Sequence, residues 1–354
     1  MQERYTAAVI GGGIGGKLSA TALAASDRFE LVALADLRTE ARAECATRYP
    51  GIATYATHQE LLARHAADVV CVATYPPTHL PITLDALGQP LAGLLVEKPL
   101  GDTYAAGSAI VAQVKRRGLP LAVPHGLLVA RHGREIIERV RGGEIGRLEL
   151  VEIESHRWDI INAGIHWLNF FVALAGNQPC ESVIAACDRS TRTYRDGMQV
   201  ETLAVTYVTT RSGVRVVMQT GDDVRIMHPG AECQFRIIGD AGTIEFYGWE
   251  SAYRLVNARH PNGERFEPPR NAHTGHQLHL EQLAEQIDRG APDYDVAESS
   301  LAALELCEAA YLSAERGCLV RLPLSQFSPP PPNDWRPGQP YAVSGGGRDG
   351  RTLP

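Results

Sequence analysis

The sequence has little of what marks secreted, membrane-embedded or nucleic-acid-binding proteins. Its seven cysteines are odd in number and form no CxxC pair, which disfavours a disulfide framework and a zinc ribbon. The 34 Lys and Arg residues are outnumbered by 41 Asp and Glu, so the surface is not built to neutralise phosphates. No apolar run approaches the roughly 20 residues that span a bilayer, and no leader-like segment follows Met1. We therefore expect a cytoplasmic protein whose partners are neither membranes nor nucleic acids.

Length and apolar content indicate a folded protein of two domains. The chain has 354 residues, 44% of them hydrophobic, and a domain usually takes roughly 100–200 residues. The end differs in composition, because 12 of the 26 residues in 329–354 are Pro or Gly. The sequence predicts one domain at 1–122, a second at 123–327 and a tail at 328–354. The tail contains Trp335 and Tyr341, so two interpretations remain: an arm docked on a neighbouring subunit, or a disordered extension.

Short apolar runs alternate with longer helix-like segments from Thr6 to about Leu121. The runs are apolar throughout, as expected for parallel strands that are covered on both faces. The alternation predicts an α/β domain with a doubly wound parallel sheet. The predicted strands are 7–10, 31–35, 68–73, 92–96 and 119–123. The predicted helices are 14–26, 39–49, 78–87 and 103–117.

A glycine-rich turn follows the first predicted strand directly. Gly11, Gly13 and Gly16 match the GxGxxG pattern of dinucleotide-binding domains. Gly11 would make the tight turn, Gly13 would let the backbone approach a pyrophosphate, and Gly16 would let helix pack on strand. The helix beginning at Ile14 offers its free N–H groups to the phosphates. These residues predict a dinucleotide site.

The end of the second strand bears on which dinucleotide binds. Asp36 lies 20 residues beyond Gly16, where a carboxylate accepts hydrogen bonds from the ribose hydroxyls of NAD and repels a 2′-phosphate. Arg38 could instead pair with that phosphate. The pattern favours NAD as the cofactor and leaves NADP open.

Two further strand ends carry a resemblance to a known family. The segments 73–79 (ATYPPTH) and 96–100 (VEKPL) follow two predicted strands on the side where open α/β sheets bind ligands. Together with the glycine turn they resemble the glucose–fructose oxidoreductase, inositol dehydrogenase and rhizopine-catabolism family (Gfo/Idh/MocA), whose members carry a TPxxxH-like turn and then an E-K-P tripeptide. The resemblance implies further cofactor contacts from Thr74, Tyr75, Pro76, His79, Glu97 and Lys98.

The resemblance extends over roughly residues 6–323. Segment 142–146 (GGEIG) looks like the family's helix end, 163–169 (AGIHWLN) looks like its DxGxHxxD helix, and 276–290 and 297–317 resemble its closing helices. The resemblance implies a second, α+β domain with an open, mainly antiparallel sheet, and a homodimer or homotetramer. Strand-like runs agree with the sheet independently. These are 148–154, 181–186, 201–209, 213–221, 232–239 and 243–247.

Lys98 and His166 match the family's catalytic residues. Oxidation of an alcohol by a nicotinamide needs a proton acceptor and a group that stabilises the charge developing on oxygen. The resemblance implies that His166 takes the proton and that Lys98 stabilises the oxygen. The sequence departs from the family at Asn162, a third expected catalytic residue, where an Asp usually stands. Asp159 could restore the missing carboxylate if the helix begins early.

The remaining pocket residues are less constrained. The expected substrate contacts are Lys98, His125, His156, Arg157, Trp158, Asp159, Asn162 and His166. Three histidines spaced by three residues form a run, His273, His276 and His279. The sequence leaves open whether they have a surface or structural role, contact the substrate or another subunit, or bind a metal. We expect that no metal is bound.

The sequence supports three hypotheses on function. The first is an NAD(P)-dependent oxidoreductase that oxidises a secondary hydroxyl of a sugar, sugar acid or cyclitol. The second is an isomerase, epimerase or lyase that retains its NAD and uses it within one turnover. The third is a non-catalytic sugar- or nucleotide-sensing regulator, against which the presence of both Lys98 and His166 argues.

Overall fold

The computed structural model describes residues 4–188, 190, 193–328 and 338. The chain forms two compact units, one of residues 1–126 with 272–301 and one of residues 127–271 with 302–354. The strands are β1 Tyr5–Ile10, β2 Phe29–Ala35, β3 Ala53–Tyr55, β4 Val69–Val72, β5 Gly93–Val96, β6 Leu121–Ala122, β7 Leu148–His156, β8 Cys180–Cys187, β9 Thr193–Arg195, β10 Met198–Val200, β11 Leu203–Thr210, β12 Arg215–Gly221, β13 Cys233–Gly239, β14 Gly242–Phe246, β15 Tyr253–Asn257, β16 Glu264–Phe266 and β17 Val320–Arg321. The α-helices are α1 Ile14–Ala25, α2 Thr39–Arg48, α3 His58–Arg64, α4 His79–Leu87, α5 Tyr104–Arg117, α6 Gly126–Val129, α7 Arg131–Arg141, α8 Ile165–Leu174, α9 Gly275–Arg289 and α10 Asp295–Arg316.

The first unit is built on a six-stranded parallel sheet in the order β3-β2-β1-β4-β5-β6. The strand order reverses between β1 and β4, whose ends Ile10 and Val72 are paired. Ligands bind at this switch point in open α/β sheets, outside the carboxyl ends of the strands. The predicted doubly wound α/β domain is confirmed, and the glycine turn lies at the switch point.

One strand and one helix of this unit were missed from the sequence. β3 has only three residues, none of them fully buried, so it gives no apolar run. Helix α3 does carry a start signal, because the Thr57 hydroxyl accepts a hydrogen bond from the Glu60 backbone N–H. A Thr followed by Glu at the third position is typical of a helix N-terminus.

Helix α9 belongs to the first unit, although the sequence-based boundary at 122/123 places it in the second domain. Its Leu280, Leu283 and Ala284 are buried in the same core as Leu23 of α1. Asp288 near its end accepts a hydrogen bond from the Tyr5 hydroxyl at 2.6 Å. The apolar face of α9 therefore completes the core beneath the parallel sheet, and residues 272–301 return to the first unit.

The second unit is built on a nine-stranded sheet in the order β16-β15-β14-β13-β7-β12-β11-β8-β17. All neighbouring strands are antiparallel except β7 and β12, so the predicted open, mainly antiparallel sheet is confirmed. Helix α8 packs Trp167 and Phe170 edge-on against Phe235, which stacks on Phe246 at 4.6 Å between ring centroids. These buried rings fix α8, the helix of His166, against the sheet.

Little of the tail lies within the described part of the chain. Of residues 329–354 only Gly338 is described, and its buried N–H donates to the Gln199 carbonyl of the same chain at 2.6 Å. Trp335 and Tyr341, on which the prediction of a subunit arm depends, lie outside the described residues. None of the helices in the described part combines the length and the apolar character that a bilayer crossing requires.

Candidate active site

The glycine turn leaves open space only at Gly13. Gly11 has a φ of +102°, and a Cβ on it would lie 2.3 Å from the Ala73 carbonyl oxygen. A Cβ on Gly16 would lie 1.8 Å from the Gly11 carbonyl oxygen, so helix α1 could not approach the turn. A Cβ on Gly13 would meet nothing within 4 Å. The fold itself therefore requires Gly11 and Gly16, whereas Gly13 leaves room beside the backbone for a ligand.

The N-terminus of α1 faces the same space. Its cap is Gly13, whose lack of a side chain leaves the first N–H groups of α1 without a side-chain cap. Ile14, the first helical residue, is 84% exposed. Such a helix start is suited to bind an anionic pyrophosphate through backbone N–H groups and the helix dipole.

Asp36 connects the end of β2 to the glycine turn. Its carboxylate accepts hydrogen bonds from the Gly12 N–H at 2.6 Å and the Arg38 N–H at 2.7 Å, and it pairs with the Arg38 guanidinium at 3.1 Å. Burial raises the pKa of Asp36, but the hydrogen bonds from Arg38 and Gly12 outweigh burial and hold it below its usual value. Arg42, which the sequence did not single out, binds the Asp36 carbonyl at 2.7 Å. An ionised carboxylate thus stands at the end of β2, in contact with the glycine turn.

His79 joins the two turns that carry the family motifs. Its ring is fully buried, with Nδ1 3.0 Å from the Pro99 carbonyl and Nε2 3.0 Å from the Thr74 carbonyl. Burial lowers its pKa. In the same turns Pro76 is buried and Tyr75 is 49% exposed. His79 therefore positions the turn after β4 against the turn after β5.

Glu97 holds Lys98 beside the glycine turn. Its buried carboxylate contacts His276 Nε2 at 2.6 Å and accepts the Lys98 backbone N–H at 3.2 Å. A Cβ on Gly15 would lie 2.9 Å from the Glu97 carboxyl carbon, so this carboxylate packs on the start of α1. Burial raises the pKa of Glu97, but the bond to His276 and its charge, followed by the charge of Lys98, lower it below its usual value. Lys98 is half-buried at the edge of this cluster.

The three histidines at the start of α9 have different surroundings. His273 is exposed, and His276 pairs with Glu97. His279 is buried, its Nε2 lies 3.1 Å from the His125 carbonyl, and burial lowers its pKa to about 4. The described residues contain no group of three or more His, Cys, Asp or Glu arranged to hold a metal ion. The run therefore divides: His273 lies at the surface, His276 supports the Glu97–Lys98 turn, and His279 is buried against the His125 backbone.

His125 lies inside the first unit. Its ring is 1% exposed, and Nε2 lies 2.9 Å from the Ser300 hydroxyl. Burial, with smaller effects from the charges of His279 and Lys98, holds the pKa of His125 well below its usual value. The His125 imidazole near Lys98 is therefore neutral, and it is hydrogen-bonded to the Ser300 hydroxyl.

In the second unit, Asp159 organises the turn that leads to His166. One turn of π-helix, Ile160–Gly164, precedes α8, and π-helical turns are frequent at functional sites. Asp159 caps this turn, because its Oδ1 accepts the Asn162 backbone N–H at 2.8 Å and Asn162 Nδ2 at 2.9 Å. The helical path therefore begins at Ile160, early enough to bring the Asp159 carboxylate onto Asn162. The Asn162 side-chain NH₂ group points to Asp159, so the side-chain carbonyl oxygen of Asn162 faces away from Asp159.

Two ionisable side chains, Arg195 and Glu201, lie near the Asp159 carboxylate. Its Oδ2 pairs with the Arg195 guanidinium at 3.2 Å, which also lies 4.3 Å over the Trp158 ring. Glu201 is buried and accepts the Ile160 N–H at 2.7 Å. Burial and the nearby Asp159 raise the pKa of Glu201 to about 7. The Asp159 carboxylate thus stands next to Asn162, and the Arg195 guanidinium balances its charge.

His156 and Arg157 lie at the end of β7. His156 Nδ1 is 2.7 Å from the Val224 carbonyl, so this half-buried ring holds a loop. Arg157 has a φ of +65°, is exposed, and donates its backbone N–H to the Gly221 carbonyl at 2.9 Å. The structure thus gives His156 a structural contact and leaves the Arg157 side chain at the surface.

Sequence reasoning missed three residues of the second unit, and it left the role of His276 open. Their partners are distant in sequence, and for Arg195 a signal existed, because Asp196-Gly197 is typical of a tight hairpin turn and both residues have positive φ. That hairpin, β9–β10, places Arg195 on Asp159. The missed residues are Arg195, Glu201 and Trp249, whose ring lies 5.8 Å from the His166 ring.

Both halves of the chain match models of one protein family. Residues 5–125 match the NAD-binding Rossmann-fold domain of the oxidoreductase family Gfo/Idh/MocA, and residues 160–322 match its C-terminal α/β domain. The class is thus an NAD-binding, two-domain oxidoreductase. The chain belongs to the Gfo/Idh/MocA family, and its cofactor is NAD.

Solved structures share this fold across nearly the whole chain. GenD2 from gentamicin A biosynthesis in complex with NAD is 23% identical with a TM-score of 0.76, covering 91% of this chain and 97% of its own. Levoglucosan dehydrogenase, in complex with NADH and levoglucosan, is 16% identical with a TM-score of 0.79, covering 90% and 100%. Aldose–aldose oxidoreductase from Caulobacter crescentus, complexed with glycerol, is 22% identical with a TM-score of 0.76, covering 90% and 100%. No curated protein sequence matches the chain significantly.

Proposed function

We propose that the protein is an NAD-dependent dehydrogenase that oxidises a secondary hydroxyl of a sugar, sugar acid or cyclitol, with Lys98 and His166 at the reacting oxygen. The observation that carries the proposal is the Glu97–Lys98 turn, which His79, Glu97 and His276 fix against the glycine turn at the switch point. Similar proteins support the substrate class, since one was solved with levoglucosan and another is an aldose–aldose oxidoreductase.

The residues of the first unit fit NAD. The open space at Gly13 and the start of α1 suit the pyrophosphate, and Asp36 suits the adenosine ribose. Arg38 and Arg42 lie beside Asp36, but Arg38 is engaged by the Asp36 carboxylate and Arg42 by backbone carbonyls. Both arginines therefore support the carboxylate, and binding of NAD is favoured over NADP.

The chemistry assigns one task to each catalytic side chain. NAD, held by the glycine turn and Asp36, would supply the hydride acceptor, and the overall reaction converts an alcohol and NAD⁺ into a ketone, NADH and a proton. His166 receives the hydroxyl proton and passes it to water. Lys98 donates a hydrogen bond to the same oxygen and stabilises its developing negative charge. Asn162 presents its carbonyl oxygen to His166 or to a substrate hydroxyl, and Asp159 holds it in that orientation.

Asp159 replaces, through Asn162, the carboxylate that the family usually places next to its histidine. We expect Asp159→Asn to lower kcat about tenfold and to move the acid limb of the kcat/KM–pH profile to lower pH. A carboxylate stabilises a nearby imidazolium, so without it the base loses its proton at lower pH and accepts protons less well. Rates measured between pH 5 and 10 would show the shift.

The matched control is Asp188→Asn, which removes a carboxylate of the same unit that binds Ser190 and Thr202 instead. Its profile should equal that of the wild type. An Asp159→Asn enzyme with an unaltered profile but a lower melting temperature would show that Asp159 only caps the helical turn.

The substrate class is tested by a panel of polyols, aldoses, aldonates and cyclitols with NAD and with NADP, followed by nicotinamide absorbance. We expect reduction of NAD with at least one polyhydroxylated compound and a kcat/KM with NADP at least tenfold lower. Conversion of a substrate without net reduction, together with a cofactor retained in native mass spectrometry, would identify an isomerase or epimerase instead. The homo-oligomer and the cytoplasmic location stay predictions.

A further inference from the structure

Trp249 is an exposed aromatic side chain next to the proposed base. It follows β14 by three residues and is 46% exposed, which is unusual for the largest apolar side chain. Its ring lies 5.8 Å from the His166 ring, edge to face at 81°, and 5.3 Å from the buried Trp167 ring. The indole is thus supported by the core on one side while a large part of it stays accessible beside His166.

The backbone that carries Trp249 is anchored on both sides. The Gly248 carbonyl lies 3.2 Å from Nε2 of the buried His132, and the Glu250 N–H donates to the Tyr247 carbonyl at 2.8 Å. The backbone at Trp249 is thus fixed, and the indole already packs on the rings of Trp167 and His166, which reduces the conformational freedom that it loses when a ligand covers it.

Polar groups flank the indole along the chain. The His228 ring stacks on Tyr247 at 4.0 Å between centroids, and its Nε2 lies 3.0 Å from a Glu250 carboxylate oxygen. All three side chains are partly exposed. An apolar ring bordered by oriented hydrogen-bonding groups is the usual composition of a small-molecule site. A sugar ring matches it, because one face presents C–H groups and its edge presents hydroxyls.

We propose that Trp249 is the platform on which the ring face of a cyclic substrate, a pyranose or cyclitol, stacks beside His166. The inference rests on the proposed function and narrows its substrate class to closed rings. C–H groups carry partial positive charge and an indole face carries negative charge, so a closed ring gains both dispersion and electrostatic attraction there. An open-chain alditol or aldonate presents no flat C–H face and gains little. Trp249 is therefore a specificity-determining residue.

The test compares Trp249→Ala with Trp249→Phe on the best ring substrate and on the alditol with the same number of carbons. We expect Trp249→Ala to raise KM for the ring substrate about tenfold or more, with kcat nearly unchanged and the alditol affected less than about threefold. Trp249→Phe should restore most of the affinity. Met227→Ala, which removes a 95% exposed apolar side chain of the same unit, is the control and should change neither.

Calorimetric titration of the ring compound into NAD-loaded wild type and Trp249→Ala separates this inference from the proposed function. Tighter binding to the wild type than to Trp249→Ala supports the platform even when no turnover occurs. Absence of turnover would count only against the proposed dehydrogenase activity. Equal losses on ring and open-chain compounds, unchanged ring affinity, or a changed oligomeric state with unchanged KM would overturn the platform.

Discussion

Replacing Lys98 by Met should lower kcat about 10³-fold while the dissociation constant for NAD changes less than about threefold. The ammonium group stabilises charge that develops on the substrate oxygen only as the reaction proceeds, and one such donor contributes about 10²–10³ in kcat. Met keeps the length and the apolar stem of the side chain. The hydrogen bonds that fix the turn, donated by the Lys98 N–H to Glu97 and accepted by the Pro99 carbonyl from His79, do not involve the Lys98 side chain. Steady-state kinetics and cofactor titration measure the two effects.

Lys115→Met provides the matched control in the same unit, since Lys115 lies on α5 and pairs with Glu298 near the surface. Its kinetics should equal those of the wild type. Full activity in Lys98→Met would show that the Lys98 ammonium group takes no part in the reaction. A variant that loses NAD binding and thermal stability together would show that Lys98 supports the turn rather than the reaction.

Replacing His166 by Asn should lower kcat about 10²–10⁴-fold and abolish the acid limb of the pH–rate profile. A general base acts only when it is deprotonated, so the wild-type rate rises with pH through that limb. Without the imidazole the proton passes directly to water, so the rate no longer follows the titration of a side chain at position 166. Asn fits the position, because α8 is held by Trp167 and Phe170 rather than by His166. Rates across the pH range, with NAD saturating, give the profile.

His260→Asn is the control, since His260 lies next to β15 and pairs with Glu264. It should leave the profile unchanged. Rescue of His166→Ala by added imidazole would locate the lost function at the proton-accepting group. A His166→Asn enzyme that keeps the wild-type acid limb would assign the base to another residue.

The first unit could be predicted well because its signals are local. Apolar runs, the GxGxxG turn and Asp36 all lie within one stretch of chain, and the central parallel strands β1, β4 and β5 are almost wholly buried. Sequence analysis missed β3, β9, β10, β15, β16 and β17, and three of them carry at most one buried residue. β3, β16 and β17 are only two or three residues long, and β16 has no buried residue, so no apolar run announces them.

The supporting residues of the site could not be predicted because they act across the chain. His276 and Glu97 are 179 residues apart, and Glu201 reaches Ile160 across 41 residues. A run of histidines spaced by three gave no indication that one would pair with a carboxylate and another would be buried. Trp249 was passed over because no motif surrounds it, and its meaning depends on the neighbouring His166 ring. In each case the pairing is set by tertiary packing.

The most direct test of the central claim follows deuterium from the substrate to the cofactor. The best compound of the substrate panel, deuterated at the carbon that is oxidised, is incubated with enzyme and NAD, and the reduced cofactor is examined by mass spectrometry. The account predicts one deuterium in each reduced nicotinamide, a ketone formed in equal amount, and a rate slower than with the undeuterated compound. Turnover that gives reduced nicotinamide without deuterium would contradict it. Turnover in which the nicotinamide stays oxidised and no deuterium passes between substrate molecules would contradict it as well.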